Sequence, residues 1–299
     1  MSHAGAPEGL PVRLRPYKGP ITDPSRWQSF RPRAGDIFIC APAKSGTTWT
    51  QAICAMLIFG RADIDVAPAK ISPWLDTNLM PEPAVTAMIE GQTHRRYFKT
   101  HTPLDGIPFY PQCSYVAVYR DPRDTFLSMM RLAQQTQGAN GAQAQGELHR
   151  MFAMWLREPF VPGAGEQLSL AAVAHHFRGF WEYRNLANIH LVHFADMKRD
   201  LAGVVRSMAE ALGIGTDDAL VARIAAAAEF SRMRGDAPKF APAIGRAKWR
   251  SESDFFRDGG VGQWKAFLDA AELAAYRARV SSLLDAGAAG WLENGSIPA

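Results

Sequence analysis

The residues whose types could do chemistry begin with the stretch PAKSGTTW at positions 42–49. Backbone N–H groups at the start of a helix bind anions, and Gly46 would let a ligand approach them closely. A nucleotide-binding loop of the Walker type places its lysine after the glycine, next to the Ser or Thr that holds Mg²⁺. Here Lys44 precedes the glycine, and no Walker B strand ending in an aspartate is evident. The loop therefore predicts a ligand with one phosphate and one further transferable anionic group, and a reaction that needs no metal.

Two further groups of polar side chains stand at predicted strand ends. Lys99 and His101 are two residues apart in RRYFKTH, so a strand projects both to the same face. An imidazole with a near-neutral pKa can take the proton of a hydroxyl group, and an ammonium can stabilise charge on a transferred group. Arg120 ends SYVAVYR, where it would grip a phosphate or form a surface ion pair with Asp121 or Asp124.

These side chains need a scaffold that brings strand ends together. Short apolar runs bounded by turn residues predict four strands, at 35–41, 95–101, 114–120 and 188–194. Helical patterns alternate with them, which predicts an α/β fold with a parallel sheet flanked by helices. Such sheets bind ligands at the carboxyl ends of their strands, where Lys44, His101 and Arg120 lie. Ala-rich segments near 222–228 and 270–287 are predicted to be packed helices.

Composition limits the class of protein. The 299 residues carry a net charge of +4, which suits a pocket for a small polyanion and is too weak to indicate a nucleic-acid partner. Cys40, Cys54 and Cys113 have no paired or metal-like spacing and are expected to be buried free thiols. No apolar run has the length of a signal peptide or a membrane span, so we expect a cytoplasmic protein.

Three segments depart from the strand–helix alternation within what we expect to be one domain over 1–299. The Pro- and Gly-rich residues 1–34 are expected to wrap the surface. Residues 133–147, AQQTQGANGAQAQGE, have little to bury and are expected to form a mobile insertion. Residues 235–262 lack periodicity and carry several Arg and Lys, which favours a lid over the ligand.

The loop closely resembles the PKSGTTW signature of the cytosolic sulfotransferases, which use 3′-phosphoadenosine 5′-phosphosulfate (PAPS) as sulfuryl donor. Singly, only this motif is specific. Four other segments resemble family segments in the family's order: YFKTHTP (97–103), VYRDPRDTFLSMM (118–130), HFADMKRD (193–200) and FFRDGGVGQWK (255–265). Together they imply a P-loop-like sulfotransferase fold and PAPS-dependent transfer to a hydroxyl or amine.

The resemblance also implies roles for individual residues. Lys44 would contact the oxygen that bridges phosphate and sulfate, and His101 would be the general base, with Lys99 beside the transferred group. Trp49 would stack on adenine, although simple helix packing is its alternative. The remaining donor contacts would divide between the 5′-phosphate (Ser45, Gly46, Thr47, Thr48), the 3′-phosphate (Arg120, Ser128, Arg257, Gly259) and the adenine (Phe230).

Some positions differ from the family pattern. A family Lys after Arg257 is Asp258 here, a family Tyr is Phe194, and the adenine segment aligns loosely with 228–230. These differences leave open a catalytically idle nucleotide-binding protein of the same fold. A kinase that uses ATP would need Mg²⁺ and would leave the Arg120 and Arg257 elements without a purpose. Nothing recognisable after Lys265 indicates an oligomeric state.

The acceptor is the least specified part of the prediction. ISPWLDTNL (71–79) resembles a segment that lines the family's acceptor pocket, so Trp74 is a candidate wall. Such pockets are largely apolar, and a small hydrophobic or phenolic acceptor is expected. The histidines other than His101, including the pair at 175–176, are expected to be structural. Core packing is favoured over pocket roles for Phe109, Met129, Phe152 and Trp155.

Overall fold

A computed structural model describes residues 9–64, 67–137, 142–240 and 259–296. Within these ranges a parallel sheet has the strand order β2-β1-β3-β4. Its strands are β1 (Ile37–Cys40), β2 (Tyr97–Thr100), β3 (Ser114–Tyr119) and β4 (Ile189–His193). All four lie where the sequence predicts them, and the α/β fold with helices around a parallel sheet is confirmed.

The strands are apolar because helices cover both faces of the sheet. Every residue of β1 is buried, and β3 is buried from Tyr115 onward. One core cluster includes Ile37 and Ile39, and a second includes their strand neighbours Phe38 and Cys40. Since successive side chains point to opposite faces, the two clusters lie on the two sides of the sheet.

The helices connect the strands and close the two cores. They are α1 (Arg26–Ser29), α2 (Thr47–Phe59), α3 (Pro68–Ile71), α4 (Glu82–Glu90), α5 (Pro122–Gln137), α6 (Ala142–Arg157), α7 (Leu170–Glu182), α8 (Phe194–Arg199), α9 (Leu201–Ala211), α10 (Asp218–Ala227), α11 (Phe230–Gly235), α12 (Ala237–Phe240), α13 (Ala270–Leu283) and α14 (Ala286–Asn294). Short 3₁₀ helices span Leu104–Gly106 and Gln263–Ala266.

Two predictions about irregular segments meet different outcomes. The expected mobile insertion at 133–147 is helical in its described part, where 133–137 end α5 and 142–147 begin α6. Its Ala, Gln and Glu residues are good helix formers, and that propensity outweighs the low apolar content. The expected lid at 235–262 falls mostly outside the described residues, apart from its ends at 235–240 and 259–262. The single-domain organisation stays a prediction.

Two other expectations, on the Ala-rich segments and the cysteines, are met by the described parts of the chain. The Ala-rich segments are helical in α10, α13 and α14, with a break at 284–285 between the last two. Cys40, Cys54 and Cys113 are free thiols and buried. The N-terminal segment bridges to distant loops at Lys18–Ala164 and Thr22–Thr77, which anchors it beside the carboxyl ends of the strands.

Candidate active site

The loop between β1 and α2 is shaped for close approach to an anion. Lys44 adopts φ 65° and Gly46 adopts φ 112°, both in the left-handed half of backbone space. A Cβ atom at Gly46 would lie 3.3 Å from the Phe194 ring and 3.4 Å from Val118, so glycine fits both the conformation and the space. Helix α2 begins at Thr47, and its first N–H groups have no acceptor within the helix. They are the donors that the sequence predicts for a phosphate.

Two cationic groups lie at this loop, the half-buried Lys44 and the buried Arg120. Burial, with a smaller contribution from the charge of Arg120, lowers the pKa of Lys44 to about 8. Arg120 is only 6% exposed, and its guanidinium lies 4.4 Å from the centre of the Phe194 ring. It is therefore not a surface residue, and the neighbouring Asp121 forms an ion pair with Arg123 at 2.8 Å. Paired cations at one site favour a ligand with more than one negative charge.

The segment that starts at Gly259 closes over Arg120. Arg120 donates a hydrogen bond of 2.8 Å to the carbonyl of Gly260. Asp124 accepts from the backbone N–H of Gly262 at 2.7 Å, and the indole of Trp264 donates to Asp121 at 2.8 Å. The loop after β3 and the first turn of α5 thus hold this segment in place. Arg257 and Asp258 lie outside the described residues, so the role predicted for Arg257 stays a prediction.

An aromatic cluster lies beside the loop. Trp49 is 3% exposed, and its ring centre lies 5.3 Å from that of Phe194 and 5.7 Å from that of Phe230. Its indole N–H donates to the carbonyl of Ala228 at 2.7 Å. A Cβ atom at Gly259 would come within 2.2 Å of the Phe230 ring, so Gly259 and Phe230 meet here. Trp49 therefore does pack in the core, and adenine stacking stays a prediction, as does the role of the half-buried Ser128 on α5.

His101 is held by the strand next to its own. Its Nδ1 lies 2.6 Å from the carbonyl oxygen of Ala41, at the end of β1. Because a carbonyl oxygen only accepts, Nδ1 carries the proton and Nε2 has the lone pair. Burial, followed by the charge of Lys99, lowers the pKa of His101 to about 4. A neutral imidazole with an available lone pair is the state that a general base needs.

Trp74 and Lys99 lie near His101. The Trp74 ring meets the imidazole edge to face, with centres 4.8 Å apart, and the Lys99 ammonium lies 4.9 Å from the Trp74 ring. Backbone bonds place Trp74 along the edge of β2, since Lys99 donates to the carbonyl of Pro73 at 3.0 Å. Burial lowers the pKa of Lys99 to about 8, against the opposing effect of Asp76.

Asp76 organises this corner of the site, and the sequence reasoning missed it. It is fully buried and accepts hydrogen bonds from Thr100 at 2.7 Å and Thr102 at 2.6 Å, the residues on either side of His101. It also accepts from the indole of Trp74 at 2.8 Å. Its hydroxyl partners are more than twenty positions away in the sequence, so no local spacing could have identified it.

A cavity opens beside His101 and Trp74; we call it the acceptor cavity. Its volume is about 340 Å³, and its wall is mostly apolar. Pro42 and Ala43, which precede Lys44, line it together with Met129 and Trp155. Core packing, which the sequence analysis favours for Met129 and Trp155, is therefore only part of their role. It holds for Phe109, which stacks on Tyr115 at 5.2 Å, and for Phe152, which meets Phe126 at 5.1 Å.

Replacement of Asp76 by Asn is expected to destabilise the fold and slow the reaction together. The indole N–H of Trp27 also donates to Asp76, at 3.3 Å, so the carboxylate serves four donors. An amide offers only one acceptor oxygen, so buried hydroxyl or indole groups lose partners. Each such loss costs about 1–3 kcal/mol, and we expect the free energy of unfolding to fall by that amount. Denaturant titration and kcat measure the two effects. Asp218→Asn, at an exposed helix start, is the control; equal effects of the two substitutions would contradict the role of Asp76.

The chain belongs to the sulfotransferase family, because residues 34–286 match the sulfotransferase domain. It is 33% identical over 309 aligned positions to a glycolipid sulfotransferase of Mycobacterium tuberculosis, with 93% of this chain and 94% of that protein covered. It is 25% identical to rat sulfotransferase 1C2, with 86% of each chain covered. The protein is therefore a sulfotransferase, as the sequence motifs predict.

Solved structures support the fold. A mouse sulfotransferase, SULT7A1, complexed with PAP aligns with a TM-score of 0.67 at 21% identity, covering 88% of this chain and 89% of that one. A retinol dehydratase in complex with androsterone and PAP aligns with a TM-score of 0.66 at 18% identity, covering 88% and 84%. At these identities the likeness concerns the arrangement of the sheet and helices.

Neither a metal-binding cluster nor a membrane-spanning helix is present among the residues that the structure describes. In those ranges no group of three or more His, Cys, Asp or Glu side chains is arranged to hold a metal ion. The helices of the same part of the chain include none that is long and apolar enough to cross a membrane. The metal-free reaction and the cytoplasmic location stay predictions.

Proposed function

We propose that the protein transfers the sulfuryl group of PAPS to a hydroxyl group of an acceptor bound in the acceptor cavity. The observation that carries this proposal is the hydrogen bond between His101 Nδ1 and the carbonyl of Ala41. It supports a neutral imidazole as the general base, on a residue that lines the cavity next to the loop that holds Lys44. The relatives that the chain resembles are sulfotransferases, and two similar folds were solved with PAP.

The donor fits the charges and backbone groups of the loop region. The N-terminus of α2 and the close approach at Gly46 suit the 5′-phosphate. The 3′-phosphate would lie at Arg120, where the segment from Gly259 closes the site. Trp49 and Phe230 would contact the adenine. The aromatic ring of Phe194 already packs beneath Arg120, so the absence of a tyrosine hydroxyl there leaves the arginine supported.

The chemistry is an in-line displacement at sulfur. The acceptor oxygen forms a bond to sulfur while the bond from sulfur to the bridging oxygen breaks. His101 takes the hydroxyl proton on Nε2, so the products are a sulfate ester and adenosine 3′,5′-bisphosphate. Lys44 stabilises the charge that grows on the leaving phosphate, and Lys99 stabilises the oxygens of the transferred group. Positioning and electrostatics supply the rate enhancement, as they do in phosphoryl transfer.

Binding of the bisphosphate product tests the donor site and separates it from an ATP site. We expect tighter binding of adenosine 3′,5′-bisphosphate than of AMP or ATP, because Arg120 would recognise the 3′-phosphate. Arg120→Met should weaken the bisphosphate about 10- to 100-fold, the value of a charged hydrogen bond, with a smaller effect on AMP. Isothermal calorimetry measures all three.

The exposed Arg206, which pairs with Asp218 at the surface, provides the matched control as Arg206→Met. Equal binding of AMP and the bisphosphate would contradict the donor assignment. Transfer of labelled sulfuryl from PAPS to any acceptor separates an active enzyme from the idle nucleotide-binding alternative. Mg²⁺-dependent hydrolysis of ATP without such transfer would favour the kinase.

A further inference from the structure

Two carboxylates at the start of α5 hold the segment that follows Gly259. Asp124 is 1% exposed, and its carboxylate accepts from the backbone N–H groups of Gly262 at 2.7 Å and Trp264 at 3.2 Å. Asp121, which directly precedes the helix, accepts from the indole N–H of Trp264 at 2.8 Å. A carboxylate in a first helical turn also stabilises the helix dipole. Both oxygens of Asp124, however, bond to a segment 138–140 positions away, so its contacts are chiefly tertiary.

A second cation fixes Asp121 and the tryptophan together. Arg123 donates to both oxygens of Asp121, from Nε at 2.9 Å and from Nη2 at 2.8 Å. Its guanidinium also lies 3.8 Å from the centre of the Trp264 ring and 4.6 Å from that of Tyr276 on α13. A planar guanidinium that is paired and stacked in this way is held in one orientation. The first residues of α5 and the loop before it thus fix both the backbone and the side chain of Trp264.

The segment in turn determines the orientation of Arg120. Nη2 of Arg120 donates to the carbonyl of Gly260 at 2.8 Å, and the guanidinium lies 4.4 Å from the centre of the Phe194 ring. The carbonyl at one edge and the ring at one face restrain the plane of the guanidinium. A planar fork recognises phosphate through bonds that need a particular orientation. A shift of Gly260 would therefore turn the fork without removing its charge.

Asp124 is connected to this arginine by its charge and by the backbone. Burial, followed by the charge of Asp121, raises the pKa of Asp124, whereas Arg120 and the two backbone N–H groups lower it. The carbonyl that Arg120 contacts is only two residues before Gly262, which Asp124 holds. Loss of the bonds to Asp124 would therefore release the part of the backbone that orients Arg120.

We propose that Asp124 is a positioning residue for the 3′-phosphate of the donor: it holds the backbone at Gly262 and Trp264, so that the carbonyl of Gly260 orients Arg120. This inference rests on the proposed function, which assigns that phosphate to Arg120. A carboxylate repels a phosphate, so Asp124 acts through the backbone and not by contact with the donor. Its loss is expected to weaken recognition of the 3′-phosphate and to spare the transfer step.

The preference for adenosine 3′,5′-bisphosphate over AMP measures this role. Calorimetry gives the two dissociation constants, and their ratio isolates the contribution of the 3′-phosphate. We expect Asp124→Ala to lower that preference about tenfold, and Asp124→Asn, which keeps one acceptor oxygen, to lower it about threefold. Trp264→Phe removes the bond to Asp121 and keeps an aromatic ring at Arg123, and it should also lower the preference about threefold.

A double-mutant cycle shows whether Asp124 acts through Arg120. In the Arg120→Met background, Asp124→Ala should change the preference by less than about twofold, because no fork remains to be oriented. Asp36→Asn is the matched control. Asp36 is 2% exposed and also accepts from a backbone N–H, that of Arg33 at 2.8 Å, but it lies at the amino end of β1. This substitution should lower stability and leave the preference unchanged.

Steady-state kinetics give a readout that a loss of stability would not reproduce. In Asp124→Ala, KM for PAPS should rise about as much as the preference falls. The kcat at saturating donor should stay within about twofold of wild type, because Lys44 and His101 stand at other strand ends. A lower kcat with an unchanged preference would show only that less of the protein is folded, and it would overturn the positioning role.

The outcomes separate this inference from the proposed function. Equal binding of AMP and the bisphosphate by the wild type contradicts both. A wild-type preference that Asp124→Ala and Trp264→Phe retain overturns the positioning role and leaves the donor assignment intact. An equally large loss in the Arg120→Met background also overturns it, because Asp124 would then act independently of the arginine. Loss of the preference in Asp124→Ala, in a protein that transfers no sulfuryl group, supports the positioning role and contradicts the proposed reaction. If Asp124→Ala does not fold, Asp124→Asn and Trp264→Phe decide.

Discussion

Replacement of His101 by Asn is expected to lower kcat about 10²- to 10⁴-fold, the usual contribution of a positioned general base. The Asn amide can still donate to the carbonyl of Ala41, as Nδ1 does at 2.6 Å, but it offers no basic nitrogen at the position of Nε2. The loss would therefore come from proton transfer rather than from a displaced strand end. Single-turnover rates with labelled PAPS and any acceptor that the wild-type enzyme sulfates measure it.

The pH dependence gives this prediction a second readout. The pKa of His101 is lowered from 6.5 to about 4, so the base form persists in the free enzyme well below pH 6. Since the unfolded chain binds the proton more readily, this group lowers stability as the pH falls from about 6.5 towards 4. His101→Asn should reduce that loss of stability on acidification. We expect the acidic limb of kcat/KM near pH 4 in the wild type, where His101 is protonated, and its loss in His101→Asn.

Two controls decide whether the effect belongs to the base. His101→Asn should bind adenosine 3′,5′-bisphosphate within about twofold of wild type, because the donor contacts lie on other elements. His101→Ala removes the bond to Ala41 as well, so a further decrease in kcat would report positioning. Near-wild-type turnover by either variant would show that another group takes the proton.

The sheet and its strand ends could be predicted because the signals are local. Each strand is an apolar run bounded by turn residues, and burial on both faces makes such runs nearly continuous. Lys44, His101 and Arg120 stand at or just beyond strand ends, so parallel order alone brings them to one edge. The family motifs added roles that composition and periodicity do not carry.

The parts that sequence reasoning missed depend on distant contacts. Asp76 gains its importance from Thr100 and Thr102, which reach it only after the segment around Trp74 pairs with β2. The residues that line the acceptor cavity could not be predicted for the same reason, because they come from distant parts of the sequence. Trp155 and His176 stand in amphipathic helices where core packing is the reasonable default, and only the fold shows that they share a cavity.

Replacement of Lys44 by Met is expected to lower kcat about 10²- to 10³-fold, comparable to the removal of one donor from an oxyanion site. Met keeps the apolar stem and removes the ammonium, so the leaving phosphate loses the cation that stabilises its developing charge. Lys44→Arg keeps the charge but replaces a compact ammonium with a planar fork, and we expect only partial recovery. Rapid-quench measurement of the first turnover reports the chemical step directly.

The alkaline pH profile tests the same residue. Burial and the charge of Arg120 lower the pKa of Lys44 to about 8, so the free enzyme loses this cation as the pH rises above that value. Lys99, with a pKa of about 8, titrates in the same range. We therefore expect kcat/KM for PAPS to fall above pH 8, and the fall to become shallower in Lys44→Arg, where Lys99 alone still loses its proton.

The comparison that isolates the loop lysine uses Lys70, which is exposed on α3. Lys70→Met changes the net charge by the same amount as Lys44→Met, so any effect of overall charge on the attraction of a polyanion is common to both. Only Lys44→Met should reduce the first-turnover rate at saturating donor. If both variants slow turnover equally, the effect comes from overall charge and the role of Lys44 is contradicted. If Lys44→Met raises KM for PAPS and leaves kcat unchanged, the lysine binds the donor without stabilising the leaving group. Because the Lys44 contact is expected to strengthen as the bond to sulfur breaks, its removal must appear in kcat.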